Sequence, residues 1–241
     1  MSSRALYRLC GMALILGSIL FATGYAISSI LLPQGGIHIY TDPLAVPAYA
    51  LRISGAMLLL MGMSGMIIRQ AQAARSMKLS LIGFMMTFLG LAMLEVGMNS
   101  VFAFIFPPLA ARPDARALLI SLDANRPIVI SIAFALGLVL EIFGSLMLGI
   151  AILRAKVLPR LSGMMLVAIP LLIIIALPDI LMVQAITGVA FAVMFGLAFA
   201  SCGYSFLTAT KTSGRAEPAM NGHAAMSEQQ LNAEELTALR G

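Results

Sequence analysis

Long runs of apolar residues recur along most of this chain, and they constrain its fold more than any other feature. Six mainly apolar runs of about 17 to 28 residues lie at about 10–32, 48–68, 79–106, 127–153, 161–177 and 180–206. A helix rises 1.5 Å per residue, so about 20 such residues cross the core of a bilayer. In lipid every backbone polar group needs an internal partner, which a helix provides. The sequence therefore predicts an all-α, polytopic membrane helix bundle with six transmembrane helices.

The first and fifth apolar runs differ from ordinary spanning helices. The first follows Arg4 and Arg8 and has about 23 residues, whereas the apolar part of a cleaved signal peptide has roughly 7–15 residues. We therefore expect a retained anchor helix. The fifth rises only about 25 Å and contains Pro170, so it kinks, thins the membrane or forms a re-entrant segment. Pro178 then predicts a break, and Asp179 predicts an N-cap for the sixth helix.

Cationic residues are distributed unequally between the two ends of the predicted helices. If the N-terminus is cytoplasmic, eleven of the fifteen cations face the cytoplasm and four face the opposite side. These four are Arg52, Arg112, Arg116 and Arg126. Because cytoplasmic loops carry an excess of Lys and Arg, the sequence predicts that both termini are cytoplasmic.

The polar composition after residue 210 predicts a boundary between two regions. Residues 1–210 form the predicted six-helix transmembrane domain, and residues 211–241 form a polar cytoplasmic tail. A capping box that begins at Ser227 predicts a short helix at about 227–240 within this tail. The tail is expected either to contact a partner or the membrane through that helix, or to remain untethered.

Two outer connections have different compositions. Between residues 107 and 126, Asp114 precedes an apolar run that ends near Asp123, which is typical either of a short helix on the membrane surface or of an ordinary loop. The connection from Pro33 to Pro47 is rich in Gly and Pro, so we expect no regular structure there.

The composition excludes several classes of function. With 61% hydrophobic and 10% charged residues, the chain is far from the soluble range, where about 25% of residues are charged. The net charge of +5 does not indicate nucleic acid binding, because the basic residues lie singly or in small groups beside apolar runs, where lipid headgroups are their partners. Cys10 and Cys202 have no metal-ligand spacing, so we predict neither a metal site nor a cofactor. The spans contain no catalytic motif, and we do not predict an enzyme.

The starts of the first and fifth helices share a short pattern. Arg8-Leu-Cys-Gly11 and Arg160-Leu-Ser-Gly163 both place a cation before a small residue at the cytoplasmic end. The pattern indicates either an internal repeat or the shared requirements of headgroup contact and close helix packing. With six spans and a short polar tail, the chain resembles uncharacterised bacterial six-helix membrane proteins classed as domains of unknown function. This resemblance implies a multi-pass protein of the bacterial inner membrane and implies no ligand or catalytic residue.

Two carboxylates lie deep in the predicted spans, Glu95 on the third and Glu141 on the fourth. A charge at such depth costs several kcal/mol, so each should face the bundle interior, carry a proton or pair. Asn99 shares a helix face with Glu95. Arg52 is the candidate counter-ion, and Gln184 on the sixth helix could add a hydrogen bond at similar depth. These five residues form the candidate intramembrane polar or ion site.

Two functions are compatible with this site. In the first, the chain is an accessory or structural helix bundle, and the carboxylates are paired or protonated and hold helices together. In the second, it is a small proton-coupled or cation transporter that uses Glu95 and Glu141, with Arg52 as their charge partner. A transporter needs a polar cavity that reaches one of these carboxylates, whereas an accessory bundle should be packed dry around them.

Small residues and methionines follow helical spacing on two spans. Gly188, Ala192, Gly196 and Ala200 repeat at intervals of four on the sixth helix. They predict close helix packing, either within the monomer or against a second copy or another membrane protein. Met57, Met61, Met63 and Met66 on the second helix could supply thioether ligands for Cu(I), although core packing explains them as well. The partners predicted for the chain are thus the lipid bilayer and a membrane protein.

Overall fold

The structure is a computed structural model that describes residues 3–33, 38–71, 77–124, 127–175 and 185–208. Within these ranges all regular elements are helical, as the apolar periodicity predicts. The helices are α1 (Ser3–Ala26), α2 (His38–Thr41), α3 (Ala45–Ala71), α4 (Met77–Leu91), α5 (Phe106–Ala110), α6 (Pro113–Ala124), α7 (Ile128–Ala155), α8 (Arg160–Ile175) and α9 (Ala185–Thr208). The prediction of a helical bundle is confirmed.

Five of these helical segments are long and apolar enough to cross a membrane. They are Ala5–Leu31, Ala45–Ala71, Met77–Ala110, Ile128–Ala155 and Ala185–Thr208. The fifth predicted span corresponds to α8, whose apolar part is shorter and which contains Pro170 near its middle. The predicted break at Pro178 and Asp179 and the predicted tail helix at 227–240 lie outside the described residues.

The polarity of the bundle is that of a protein surrounded by lipid. Large apolar side chains such as Leu16, Ile19 and Ile128 point outward, with exposed fractions of 55%, 56% and 74%. Several polar side chains, among them Thr87 and Ser145, are completely buried. Lipid does not solvate polar groups, so a polar side chain that faced lipid would lose its hydrogen-bond partners. Burial inside the protein avoids this cost, which does not arise for a side chain that faces water.

Glycines allow neighbouring antiparallel helices to touch through their backbones. On α1, a Cβ at Gly17 would lie 2.9 Å from the carbonyl oxygen of Gly55 on α3. Between α4 and α7, a Cβ at Gly83 would lie 2.5 Å from the backbone nitrogen of Leu148. No larger residue fits such contacts without a backbone shift, so they fix the spacing of the two helix pairs.

The predicted third span is not one regular α-helix. Residues Ala92–Met98 and Val101–Ile105 are π-helical and connect α4 to α5. A π-helix adds a residue to the turn and therefore rotates every later side chain relative to an α-helical count. The segment that carries Glu95 is consequently underwound, and the side chains that follow Ala92 are rotated from the positions that a regular α-helix would give them.

The connection from Pro33 to Pro47 contains more helix than the sequence predicts. The single turn α2 lies within it, and α3 begins at Ala45, before Pro47. Proline lacks a backbone N–H group. The N–H groups of the first helical turn have no partner within the helix, so a proline is accommodated at this position. The prediction of no regular structure here was therefore wrong. In the connection between residues 107 and 126, α6 spans Pro113–Ala124, where a short surface helix was one of two alternatives.

Candidate functional site

A buried ion pair connects α3 with the π-helical segment that follows α4. The guanidinium of Arg52 donates from Nη2 to both carboxylate oxygens of Glu95 at 3.0 Å and from Nε to Oε2 at 3.1 Å. The side chains of Arg52 and Glu95 are 13% and 3% exposed. Such a forked contact matches the geometry of both groups and makes the pair neutral as a unit.

The remaining contacts of Glu95 come from α1 and from its own helix. The hydroxyl of Tyr25 donates to Oε1 at 3.1 Å, and Nδ2 of Asn99 donates to Oε2 at 2.7 Å. The guanidinium of Arg52 lies 3.7 Å from the centre of the Tyr25 ring, a cation–π distance, and its Nη1 donates to Ser28 at 3.4 Å. Glu95 is therefore fully engaged as an anion within the protein.

Glu141 on α7 has a contrasting environment. Its side chain is 3% exposed, and its Oε1 has no hydrogen-bond partner among the described residues. The backbone of Glu141 touches α4, because a Cβ at Gly90 would lie 2.7 Å from its nitrogen. The helix contact thus fixes the backbone at Glu141, while Oε1 of its carboxyl group is without a partner in the described part of the chain. A buried polar group without a partner costs free energy, and this one therefore requires an explanation.

Both carboxylates line the same cavity of about 370 Å³. We call it the acidic cavity, defined by Arg52, Glu95, Asn99 and Glu141. Its other walls come from α1, α7, α8 and α9 and are mainly apolar, with Thr187 as a further polar residue. A cavity that reaches Glu95 and Glu141 is the feature that distinguishes a ligand site from dry packing.

Two further cavities adjoin the acidic cavity. An apolar cavity of about 420 Å³ lies between the π-helical part of the third span, α6 and α7, and it shares Met98, Phe102 and Phe134 with the acidic cavity. A recess of about 210 Å³ is lined by Ser28, Ser29 and Arg52 and lies beside the connection that contains α2. We call these the apolar cavity and the serine recess. Arg52 lines both the acidic cavity and the serine recess.

Of the five predicted site residues, the structure brings four to one cavity, and Gln184 lies outside the described residues. Sequence reasoning missed Tyr25 and Ser28. A tyrosine followed by two serines near the end of the first apolar run was the signal that could have identified them.

The ladder of small residues on α9 faces α1: Gly196 approaches Ser18, and Gly188 approaches Ser29. The other two ladder residues are Ala192, which is completely buried, and Ala200, which is partly buried.

The structure separates the methionines that could have formed a metal site. Met63 and Met66 are buried, whereas Met57 and Met61 are 52% and 61% exposed. Among the described residues, no group of three His, Cys, Asp or Glu side chains is placed to hold a metal ion. Comparisons of the chain with protein-family models, with curated proteins and with solved structures found no match.

Proposed function

We propose that this chain is a proton-linked transporter of the bacterial inner membrane, in which Glu141 exchanges a proton. The observation that carries the proposal is that Oε1 of the buried Glu141 has no hydrogen-bond partner among the described residues, in a cavity that also reaches a fully paired carboxylate. Acid–base sites commonly place two carboxylates in environments that separate their roles. Here Glu95 is the fixed charge, held by Arg52, and Glu141 is the group that changes charge.

The chemistry of Glu141 follows from its surroundings. A buried, unpaired carboxylate is much less stable than the neutral acid, so Glu141 carries a proton while the cavity is empty of cations. A cation that enters the cavity stabilises the carboxylate, and the proton leaves to water at the cavity mouth. Cation and proton are therefore alternatives at one group, which is the requirement for exchange across a membrane.

The proposed topology has six spans with both termini in the cytoplasm. The described cations at the end of the bundle that contains the start of α1 outnumber those at the other end. The former are Arg8, Arg69, Lys78, Arg154, Lys156 and Arg160, and the latter are Arg52, Arg112 and Arg116. This bias supports a cytoplasmic location for the first end. In this arrangement α8 crosses as the short, Pro170-containing fifth span, which brings the total to six.

The proton at Glu141 can be tested without a known substrate. Infrared spectroscopy of the purified protein detects the carbonyl stretch of a neutral carboxylic acid and its shift when the proton exchanges for deuterium. We expect a band that exchanges in D₂O and disappears in Glu141→Gln. The variant Asp114→Asn, which removes an exposed carboxylate on α6, should retain the band. A wild-type protein without an exchangeable acid band would contradict the proposal.

Flux measurements test the transport step itself. Acid-loaded proteoliposomes receive an external mixture of alkali and organic cations, and a pH dye reports loss of internal protons. Wild type and Asp114→Asn should lose protons faster than protein-free liposomes, and Glu141→Gln should not. Equal rates in wild type and Glu141→Gln would refute the role of Glu141.

An accessory or structural bundle is the second candidate, and the glycine contacts between helices favour it. Backbone contact at Gly17 and Gly83 produces a stiff bundle, which suits a protein that supports a partner. This candidate expects the acid band of Glu141 to resist deuterium exchange. It also expects no cation-dependent proton flux, and a membrane partner that co-purifies with the chain.

A further inference from the structure

Aromatic rings line the acidic cavity together with Glu141. The rings that line it are Tyr25, Tyr49, Phe102, Phe134 and Phe191. Most of them already pack against one another: Phe191 lies 5.7 Å from Tyr25, and Phe102 lies 5.7 Å from Tyr49, measured between ring centres. These contacts build a firm aromatic wall, and they leave one ring available.

Phe134 is the ring that has no aromatic partner among the described residues. Its side chain is 50% exposed, and it lines both the acidic cavity and the apolar cavity. Phe134 precedes Glu141 by seven residues on α7, so the two side chains lie on one face about two turns, or about 10 Å, apart. An aromatic ring with an open face and a carboxyl group on the same side of a helix are the two elements that bind an organic cation.

The charges in the acidic cavity favour a cation over an anion. The titratable and charged groups that line the acidic cavity with Glu141 are Glu95, Arg52, Tyr25 and Tyr49, and within the described residues α8 and α9 bring no charged group to the cavity. The donors of Arg52 are directed to Glu95 and Ser28. The site is therefore neutral while Glu141 is protonated and carries one negative charge when the proton has left.

The apolar cavity determines what the rest of such a ligand can be. Its walls include Tyr40, Phe106, Leu119 and Ile130, and its volume of about 420 Å³ falls in the range of sites for small organic molecules. An alkali ion would leave this space unused and would lack the oxygen ligands that hard cations require, because the walls are carbon-rich. A cation with an apolar body fills both cavities.

We infer that the chain binds a hydrophobic organic cation, with the charged centre between Glu141 and Phe134 and the apolar body in the apolar cavity. This inference rests on the proposed proton exchange and specifies its substrate class. One cation enters as one proton leaves Glu141, so the cavity keeps its net charge.

Equilibrium binding of tetraphenylphosphonium to the purified full-length protein in nanodiscs tests the inference. Affinity should rise with pH by up to about tenfold per unit, because one proton competes with one cation. Glu141→Gln should remove this pH dependence. Phe134→Leu should weaken binding by about 2- to 30-fold, the equivalent of one cation–π contact. Phe143→Leu, on the outward face of the same helix, should leave binding unchanged.

Tetraphenylborate has nearly the same shape and the opposite charge, and it separates charge recognition from simple apolar binding. Any binding of borate should be the same in wild type, in Glu141→Gln and in Phe134→Leu. The inference is overturned if borate, measured separately from phosphonium because the two ions pair in solution, binds with the same affinity, or if phosphonium binding is independent of both pH and Glu141→Gln. If phosphonium does not bind while the acid band of Glu141 still exchanges, the substrate class fails and the proposed proton exchange stands. If that band does not exchange, both fail.

Discussion

Replacement of Arg52 by Met removes the counter-ion of Glu95 while keeping an apolar side chain on α3. Three contacts of 3.0–3.1 Å to the carboxylate disappear, together with the cation on the Tyr25 ring. Breaking a buried ion pair from one side costs about 3–5 kcal/mol. Tyr25 and Asn99 still donate to Glu95, so we expect the lower end of this range, about 3 kcal/mol.

The protein contains its own reporters for measuring this loss. It has no Trp, but Cys10 and Cys202 are free and buried, so a dye that fluoresces on reaction with thiols detects unfolding on heating. For chains of 150–250 residues, 1 kcal/mol corresponds to about 2–4 °C in Tm. The expected decrease for Arg52→Met is therefore about 6–12 °C.

A second substitution separates the lost ion pair from the lost arginine stem. Adding Glu95→Gln to Arg52→Met removes the uncompensated charge and should restore at least half of the decrease, because neutral replacements of buried pairs are often tolerated. Arg154→Met, at an exposed position, should change stability by less than about 0.5 kcal/mol. The reasoning is refuted if Arg52→Met melts together with Arg154→Met, or if the double variant melts below Arg52→Met.

Two further predictions concern packing and topology. Gly83→Ala should lower Tm in the same dye assay, because its Cβ would lie 2.5 Å from the backbone nitrogen of Leu148. Gly97→Ala should not lower Tm, because the nearest neighbour of its Cβ would be at 3.4 Å. Equal effects of the two substitutions would contradict the role of the α4–α7 contact. In a chain without its natural cysteines, Arg116→Cys should react with a membrane-impermeant maleimide in intact cells and Lys156→Cys only after lysis; the reverse labelling would overturn the proposed orientation.

Hydropathy predicted the spanning helices because lipid enforces one rule on every residue of a span. Any stretch that crosses must be apolar outside and hydrogen-bonded within, so length and composition identify it. The pairing of Arg52 with Glu95 was also accessible, since a deep carboxylate needs a partner and few cations lie near its depth. The apolar run that contains Pro170 has few residues, and this agrees with the short length of α8.

Helix rotation and backbone irregularity could not be obtained from the residues alone. Gly90 precedes the π-helical segment that begins at Ala92, but a glycine in the sequence does not distinguish a π-helical turn from an α-helical one. The role of Tyr25 depends on which face of α1 meets α3, and glycines on both helices determine that face. The unpartnered state of Glu141 is likewise a property of its neighbours, so only the three-dimensional arrangement distinguishes it from Glu95.

The glycine contacts and the ion pair together define which parts of the bundle can move independently. Contacts through Gly17 and Gly83 join α1 to α3 and α4 to α7 so closely that each pair behaves as a rigid body. The two bodies meet largely through side chains, with Arg52 on one and Glu95 on the other. Rocking of one body against the other would therefore have to break the Arg52–Glu95 ion pair or pivot about it, since in the described part of the chain this is the ion pair that joins the two bodies.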